Sequence, residues 1–187
     1  MKKNGKHWQA SKALITGASS GIGAAIAIEL ARHGLDILLV ARRAEKLKRV
    51  ADEVHRQGGQ ATVLVADLSA EGAVEHITRQ ASDTIGDLDV LVNNAGFGWY
   101  GYYAEMPWDT AENLLRVNVE AVTHLTRAFL PLMLSRGRGH IINIGSISGS
   151  IPSQGISIYG ASKAFMDAFT TALYRELVGS GVYVSVV

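Results

Sequence analysis

Six short apolar runs recur along the chain, at residues 13–16, 37–40, 61–66, 90–93, 140–144 and 183–187. Each is rich in Val, Ile and Leu and apolar at successive rather than alternate positions, the pattern of a strand covered on both faces. Between them lie longer segments, 22–33, 44–57, 72–85, 112–134 and 159–178, in which an apolar stripe at helical spacing faces away from a charged side. Gly34, Gly58, Gly86, Gly137 and Gly179 follow or close these segments, where a left-handed residue ends a helix. The alternation βαβαβα, with crossovers this long, predicts an α/β fold with a doubly wound parallel sheet and helices on both faces. No internal repeat, linker or low-complexity stretch interrupts it.

The chain has 187 residues, enough for one domain at 12–187 after a polar, basic extension at 1–11. Apolar residues make up 48% and charged residues 19%, a globular balance rather than a disordered one. A net charge of +1 gives no reason to expect nucleic acid or an anionic membrane as a partner. There is no cysteine, which excludes a disulfide framework and thiolate catalysis and suits a reducing compartment. The first residues lack the apolar core of a secretory signal, and no run approaches the ~18 apolar residues of a membrane helix, so a cytoplasmic protein is expected. The six histidines show no ligand spacing, and no metal site is expected.

The first apolar run leads straight into Thr16-Gly17-Ala18-Ser19-Ser20-Gly21-Ile22-Gly23, and a helical segment begins at once. Glycines here permit a tight turn, close approach of backbone to a pyrophosphate, and packing of helix on strand. Free N–H groups and the positive end of the helix would then face the phosphates. A glycine triplet alone is weak evidence; after the first buried strand it points to dinucleotide binding in a Rossmann-type sheet with strand order 3-2-1-4-5-6. At the end of the second strand stand Arg42 and Arg43, with no acid between positions 37 and 44. An acid there would bind the ribose 2′-hydroxyl of NAD, whereas an arginine accommodates the 2′-phosphate of NADP. Arg42 is favoured for that contact by its guanidinium fork, and Arg43 is expected to solvate a loop. NADP is therefore expected ahead of NAD.

Tyr159 and Lys163 are four apart in a helical segment and share one face. A tyrosine, with its ordinary pKa near ~10, is a poor acid–base group at neutral pH unless a cation close by favours the phenolate. Thirteen residues earlier, Ser146 follows the run 140–144, at the strand end where doubly wound folds bind ligands. Ser146 and Tyr159 could both hydrogen-bond a substrate carbonyl. Ser148 is a rival for the serine position.

Together these residues resemble the short-chain dehydrogenase/reductase family. TGASSGIG at 16–23 is similar to its TGxxxGxG cofactor turn, and Asn93-Asn94-Ala95-Gly96 to its NNAG motif. Ser146, Tyr159 and Lys163 match its catalytic serine and YxxxK, and the likeness runs from about residue 11 to the last. The resemblance implies hydride transfer between NADP(H) and a carbonyl or alcohol, with Tyr159 as general acid/base. Lys163 would hold the nicotinamide ribose and favour the phenolate, and Ser146 would stabilise the developing oxyanion. It also implies a cofactor site of Gly17, Ser19, Ser20, Gly21, Ile22, Gly23, Asn94, Ala95 and Gly96, with Asp67 at the adenine. Asn118, by itself a mid-helix amide, would join a proton relay. Ser19 and Ser20 stand where some NADP-preferring relatives carry a basic residue, so cofactor choice leans on Arg42. Two other readings remain: an epimerase or dehydratase of the same fold, against which the G-x-x-x-G-x-G spacing argues, and a non-catalytic NADP-binding or regulatory protein.

The run Phe97-Gly98-Trp99-Tyr100-Gly101-Tyr102-Tyr103, with Trp108 beyond it, is expected either to wall an apolar substrate pocket or to pack under the long helix or at a subunit contact. Phe165, Phe169, Leu173 and Leu177, beside a small-residue stripe of Ala164, Ala168 and Ala172, predict a homodimer or homotetramer through the last helices. The chain stops inside the apolar run 183–187, where relatives continue with a Pro-Gly turn, a substrate-covering segment and a seventh strand. The expectation is that the natural protein extends further. The 187-residue span alone is expected to be poorly soluble, with little reductase activity and better preserved adenine-half binding.

Overall fold

A computed structural model describes residues 10–187, so most of the extension expected at 1–11 lies outside the described residues. Six parallel strands form one sheet: β1 (Lys12–Thr16), β2 (Asp36–Ala41), β3 (Gln60–Val65), β4 (Val90–Asn93), β5 (Gly139–Asn143) and β6 (Val182–Val186). Their order is β3-β2-β1-β4-β5-β6, so the chain winds outward from β1 in one direction and from β4 in the other. The register pairs Thr16 with Val40, Asn93 with Asn143 and Asn143 with Val186, which brings the carboxyl ends of the strands level along one edge. The reversal between β1 and β4 opens a crevice at that edge.

The strands are covered on both faces because successive side chains point to opposite sides. Leu14, Leu38, Leu91 and Ile141 enter one core with Ile77 of α3 (Ala73–Thr84), Leu125 and Phe129 of α5 (Ala121–Arg136), and Leu173 of α7 (Ser157–Glu176). Their neighbours Ala13, Ile15, Ile37, Leu39 and Val92 enter the other, against Ala27 of α1 (Gly21–Arg32) and Leu47 and Val54 of α2 (Ala44–Arg56). The runs of successive apolar residues are thus the two inner faces of a sandwiched sheet.

The main departure from the sequence reading lies in the long helix expected at 112–134. It begins earlier, as α4 (Trp108–Leu115), passes through a π-helical turn at Arg116–Glu120, and continues as α5 to Arg136. A π turn accommodates one extra residue by widening the helix, a distortion frequent at functional sites. The last helix starts at Ser157 rather than 159, which sets Tyr159 in its first turn. Two short pieces were not anticipated: a 3₁₀ turn at Tyr103–Glu105 and the single-turn helix α6 (Ile147–Ser150). Among the described residues no helix is long and apolar enough to cross a membrane.

Candidate active site

At the carboxyl edge of the sheet lies an open cleft of about 790 Å³, bordered by the loops after β1, β2, β3, β4 and β5 and by the first turns of α7. The loop after β1 is locked to the loop after β4. The buried Thr16 hydroxyl accepts from the backbone N–H groups of Asn94 and Ala95, both at 3.0 Å, and donates to the Val92 carbonyl at 3.3 Å. In return the Asn94 amide donates to the carbonyls of Thr16 (2.8 Å) and Gly17 (3.2 Å). This closeness explains two glycines. Gly17 has φ +65° and a Cβ there would stand 2.8 Å from the Ala95 Cα, while a Cβ on Gly23 would stand 2.7 Å from the Gly17 carbonyl oxygen and collide with the Asn94 amide.

Ser20 occupies the N-cap of α1 in an extended conformation and makes no side-chain cap bond. The first N–H groups of α1 therefore face the cleft without a protein acceptor at the cap, the arrangement that receives phosphate. Ser19, Ser20, Gly21 and Ile22 all line the cleft, and Ile22 projects from it 59% exposed.

The basic pair at the end of β2 differs from expectation in one respect. Arg43, expected to solvate a loop, lies across the glycine turn: its guanidinium donates to the Ser19 hydroxyl at 2.9 and 3.3 Å and to the Ser20 hydroxyl at 2.8 Å. Arg42 turns toward Asp67, 3.7 Å away. Burial alone would raise the Asp67 pKa, but Ser69 donates to its carboxylate through backbone and side chain, and with Arg42 this holds it below the usual value. Both arginines and Asp67 border the cleft beside the glycine turn.

On the other side α7 brings Tyr159 and Lys163 into the wall. Lys163 is 6% exposed, donates to the Ile144 carbonyl at 2.7 Å, and its Nζ is 6.0 Å from the Tyr159 ring centre. Burial pushes its pKa below the ordinary lysine value, and the Asp167 charge opposes that shift. Asn118, 1% exposed, sits in the π turn behind this pair. Its side-chain oxygen accepts from the Phe97 N–H at 3.1 Å, and its amide donates to the Phe97 carbonyl (3.0 Å) and the Ser162 hydroxyl (3.1 Å). One amide in the widened turn thus reaches both the loop after β4 and α7.

Ser146 follows β5, and its hydroxyl accepts from the Ser148 N–H at 3.2 Å, capping α6. Gly145 borders the cleft directly, with Ser146 next to it in the chain. Below the site a buried polar chain ties its supports together. Asn143 donates to Thr170 of α7 (2.8 Å), while Asn93 donates to Asn143 (2.8 Å) and to Thr126 of α5 (3.3 Å). Sequence reading missed Thr16 and Gly98. The first stood at the edge of a recognised motif. The second was hidden in an aromatic run, although a glycine among aromatics marks close backbone approach: a Cβ on Gly98 would stand 3.3 Å from the Tyr159 ring.

Phe97 and Trp99 of the aromatic run are half-buried, and the Phe97 backbone is bonded to Asn118 of the long helix. Tyr100, Tyr102, Tyr103 and Trp108 are all more than half exposed, and the Gly101 N–H donates to the Gly155 carbonyl at 2.9 Å, with the Tyr100 ring lying against Gly155. This joins the loop after β4 to the loop preceding Tyr159.

Such a sheet, with a glycine turn feeding an uncapped helix at its switch point, defines a Rossmann-type fold of the kind that binds dinucleotides. The family model for short chain dehydrogenase matches residues 11–187, and the chain belongs to that family. It is 37% identical over 174 residues to the ketoacyl reductase HetN of Nostoc, covering 93% of this chain and 61% of that protein. Among solved structures, a metagenomic short-chain oxidoreductase in complex with NADP is 41% identical with a TM-score of 0.90, over 94% of this chain and 79% of that one. An NAD+-bound xylitol dehydrogenase is 29% identical with a TM-score of 0.87, over 94% and 68%. The chain thus spans between about three-fifths and four-fifths of the length of these relatives.

Proposed function

We propose that this protein is an NADP(H)-dependent oxidoreductase that interconverts a carbonyl and an alcohol, with Tyr159 as the group that exchanges a proton with the substrate oxygen. The observation that carries this reading is the pairing of Tyr159 with a buried Lys163 in the wall of the cleft whose far side is the glycine turn. The cleft fits a dinucleotide on its own geometry: Cβ atoms at Gly17 and Gly23 would fill the turn, and the α1 N-terminus has no side-chain cap.

Gly17, Ser19, Ser20, Gly21, Ile22 and Gly23 would hold the pyrophosphate and its flanks, Asp67 the adenine, and Asn94, Ala95 and Gly96 the central ribose region. Such a cofactor, when bound, supplies or accepts a hydride. The chain supplies the rest. Tyr159 gives its phenolic proton to the carbonyl oxygen during reduction and takes it back during oxidation. The ammonium of Lys163 favours the phenolate and would hold the nicotinamide ribose. Ser146, whose hydroxyl accepts from the Ser148 N–H and keeps its own proton to give, would donate to the developing oxyanion. Asn118 would anchor water that resupplies the proton.

NADP is favoured over NAD because two guanidiniums, Arg42 and Arg43, flank the end of β2. The dissociation constants of NADPH and NADH measured for wild type, Arg42→Ala and Arg43→Ala test this. A charge-assisted contact is worth about 1.5–3 kcal/mol, so each substitution is expected to weaken NADPH by tenfold or more and NADH by much less. Equal affinities in the wild type would contradict the assignment.

The substrate is read as a neutral, apolar carbonyl compound or alcohol. Neither 97–103 nor 144–162, the two segments nearest Tyr159 on the substrate side, contains a charged residue, and exposed aromatics line the first of them. Turnover of a panel of neutral and anionic carbonyls tests this, and a preference for the anionic ones would contradict it.

Self-association is proposed through α7. Phe169, Leu173 and Leu177 turn toward the core, while Ala164, Phe165, Ala168 and Ala172 are left at the surface or its edge. Small residues let a second helix approach closely. Sedimentation at micromolar protein is expected to show a dimer or tetramer, and a purely monomeric profile would count against it. A cytoplasmic location is proposed, in keeping with a chain that carries no cysteine.

A further inference from the structure

The helix that carries Tyr159 and Lys163 continues, one turn on, with Asp167. The three residues lie at i, i+4 and i+8 and so share a face. The Asp167 carboxylate fills a space that two glycines leave for it. A Cβ on Gly149 would stand 2.9 Å from its Oδ2, and one on Gly145 would stand 3.4 Å from its Oδ1. Those two glycines bracket Ser146 and Ser148 at the start of α6, so the carboxylate lies between that segment and α7, close behind the candidate site.

We propose that Asp167 is a positioning residue that keeps the buried Lys163 in its ammonium form beside Tyr159. This rests on reading Lys163 as the cationic partner of Tyr159. The physical need is plain from the surroundings. Lys163 is 6% exposed, and one carbonyl, that of Ile144, accepts its proton at 2.7 Å. A carbonyl satisfies a donor but adds no net charge, and an ammonium removed from water loses its charge unless an anion compensates.

The groups facing Lys163 are few among the described residues. From α7 they are Tyr159 and, one turn on along the same face, Asp167. The loop after β4 brings Gly96, and the π turn brings the neutral amide of Asn118, whose oxygen, like the Lys163 Nζ, lies within 4 Å of a Cβ built on Gly96. Helix α6, Ile147–Ser150, carries no titratable group, and Tyr183 of β6 stacks on His140 toward the other end of its strand. Asp167 is the carboxylate among them. Its sign follows: burial lowers the Lys163 pKa, Asp167 raises it, and removal of Asp167 leaves burial unopposed.

The test is a titration of Lys163 itself, followed by the NMR shift of its ε-carbon in the natural protein, with Lys163→Arg to assign the signal. Asp167→Asn is expected to lower the midpoint by about one pH unit. Asp167→Glu keeps the charge and is expected to stay close to wild type. Asp167→Ser, smaller and also neutral, gives the same reading if the amide disturbs packing. The alkaline limb of kcat/KM for carbonyl reduction is expected to move down by the same amount. A midpoint unchanged in both neutral variants would overturn the proposal, as would an activity loss equal at every pH. A lowered midpoint in a protein that reduces no carbonyl would uphold Asp167 and sink the functional reading, so the two failures are distinguishable.

Discussion

Tyr159→Phe is expected to abolish carbonyl reduction, with a loss of about 10²–10⁴-fold in kcat, the usual contribution of a positioned general acid. NADPH affinity is expected to stay within about threefold of wild type, because each threefold is only ~0.65 kcal/mol and the ring itself is retained. The ring lies against the Gly98 backbone and at 6.0 Å from the Lys163 Nζ, and neither contact needs the hydroxyl. What goes is the transferable proton. Steady-state rates with NADPH, beside a fluorescence titration of the cofactor, check both halves. Turnover in Tyr159→Phe comparable to wild type would remove Tyr159 from the mechanism.

Gly17→Ala is expected to affect the opposite half of the site and to be the most damaging change in the cradle. The position has φ +65°, where a residue with a Cβ is strained by about 1–2 kcal/mol. The added methyl would stand 2.8 Å from the Ala95 Cα, so the loops after β1 and β4 must separate. That separation breaks the bonds from Asn94 and Ala95 to Thr16 that hold the two loops together. A hundredfold or larger loss of NADPH affinity is expected, about 2.7 kcal/mol or more, with a lower melting temperature. Titration and thermal unfolding measure the two effects separately. Wild-type affinity in this variant would mean that the glycine turn is not the phosphate site.

The architecture was legible because a parallel sheet buries both of its faces. Runs such as 13–16 and 37–40 therefore stand out as continuous apolar stretches, with no alternation to be confused with noise. The glycine turn was legible for a similar reason: positive φ and close approach leave few alternatives to glycine at 17 and 23. The π turn at 116–120 was not, since Arg116-Val117-Asn118-Val119-Glu120 keeps ordinary helical composition and the bond between Phe97 and Asn118 that goes with it is a tertiary contact. Arg42 and Arg43 show the limit of composition. Adjacent arginines have the same charge, and only the path of the chain after β2 decides that Arg43 crosses to Ser19 and Ser20 while Arg42 turns to Asp67. Helix α6 is a single turn, too short for any periodicity to show. Asp167 was visible as a helical residue four positions past Lys163, but its place against Gly145 and Gly149 belongs to the tertiary structure.

The central claim is that hydride passes between NADPH and a carbonyl carbon while Tyr159 handles the proton. The most direct measurement supplies NADPH deuterated at the transferable position of the nicotinamide to the natural protein, with a neutral apolar ketone, and analyses the alcohol by mass spectrometry. The expected result is one deuterium on the carbinol carbon of the product, formed by wild type and absent with Tyr159→Phe. Alcohol without deuterium, or labelled alcohol formed equally well by Tyr159→Phe, would contradict the account.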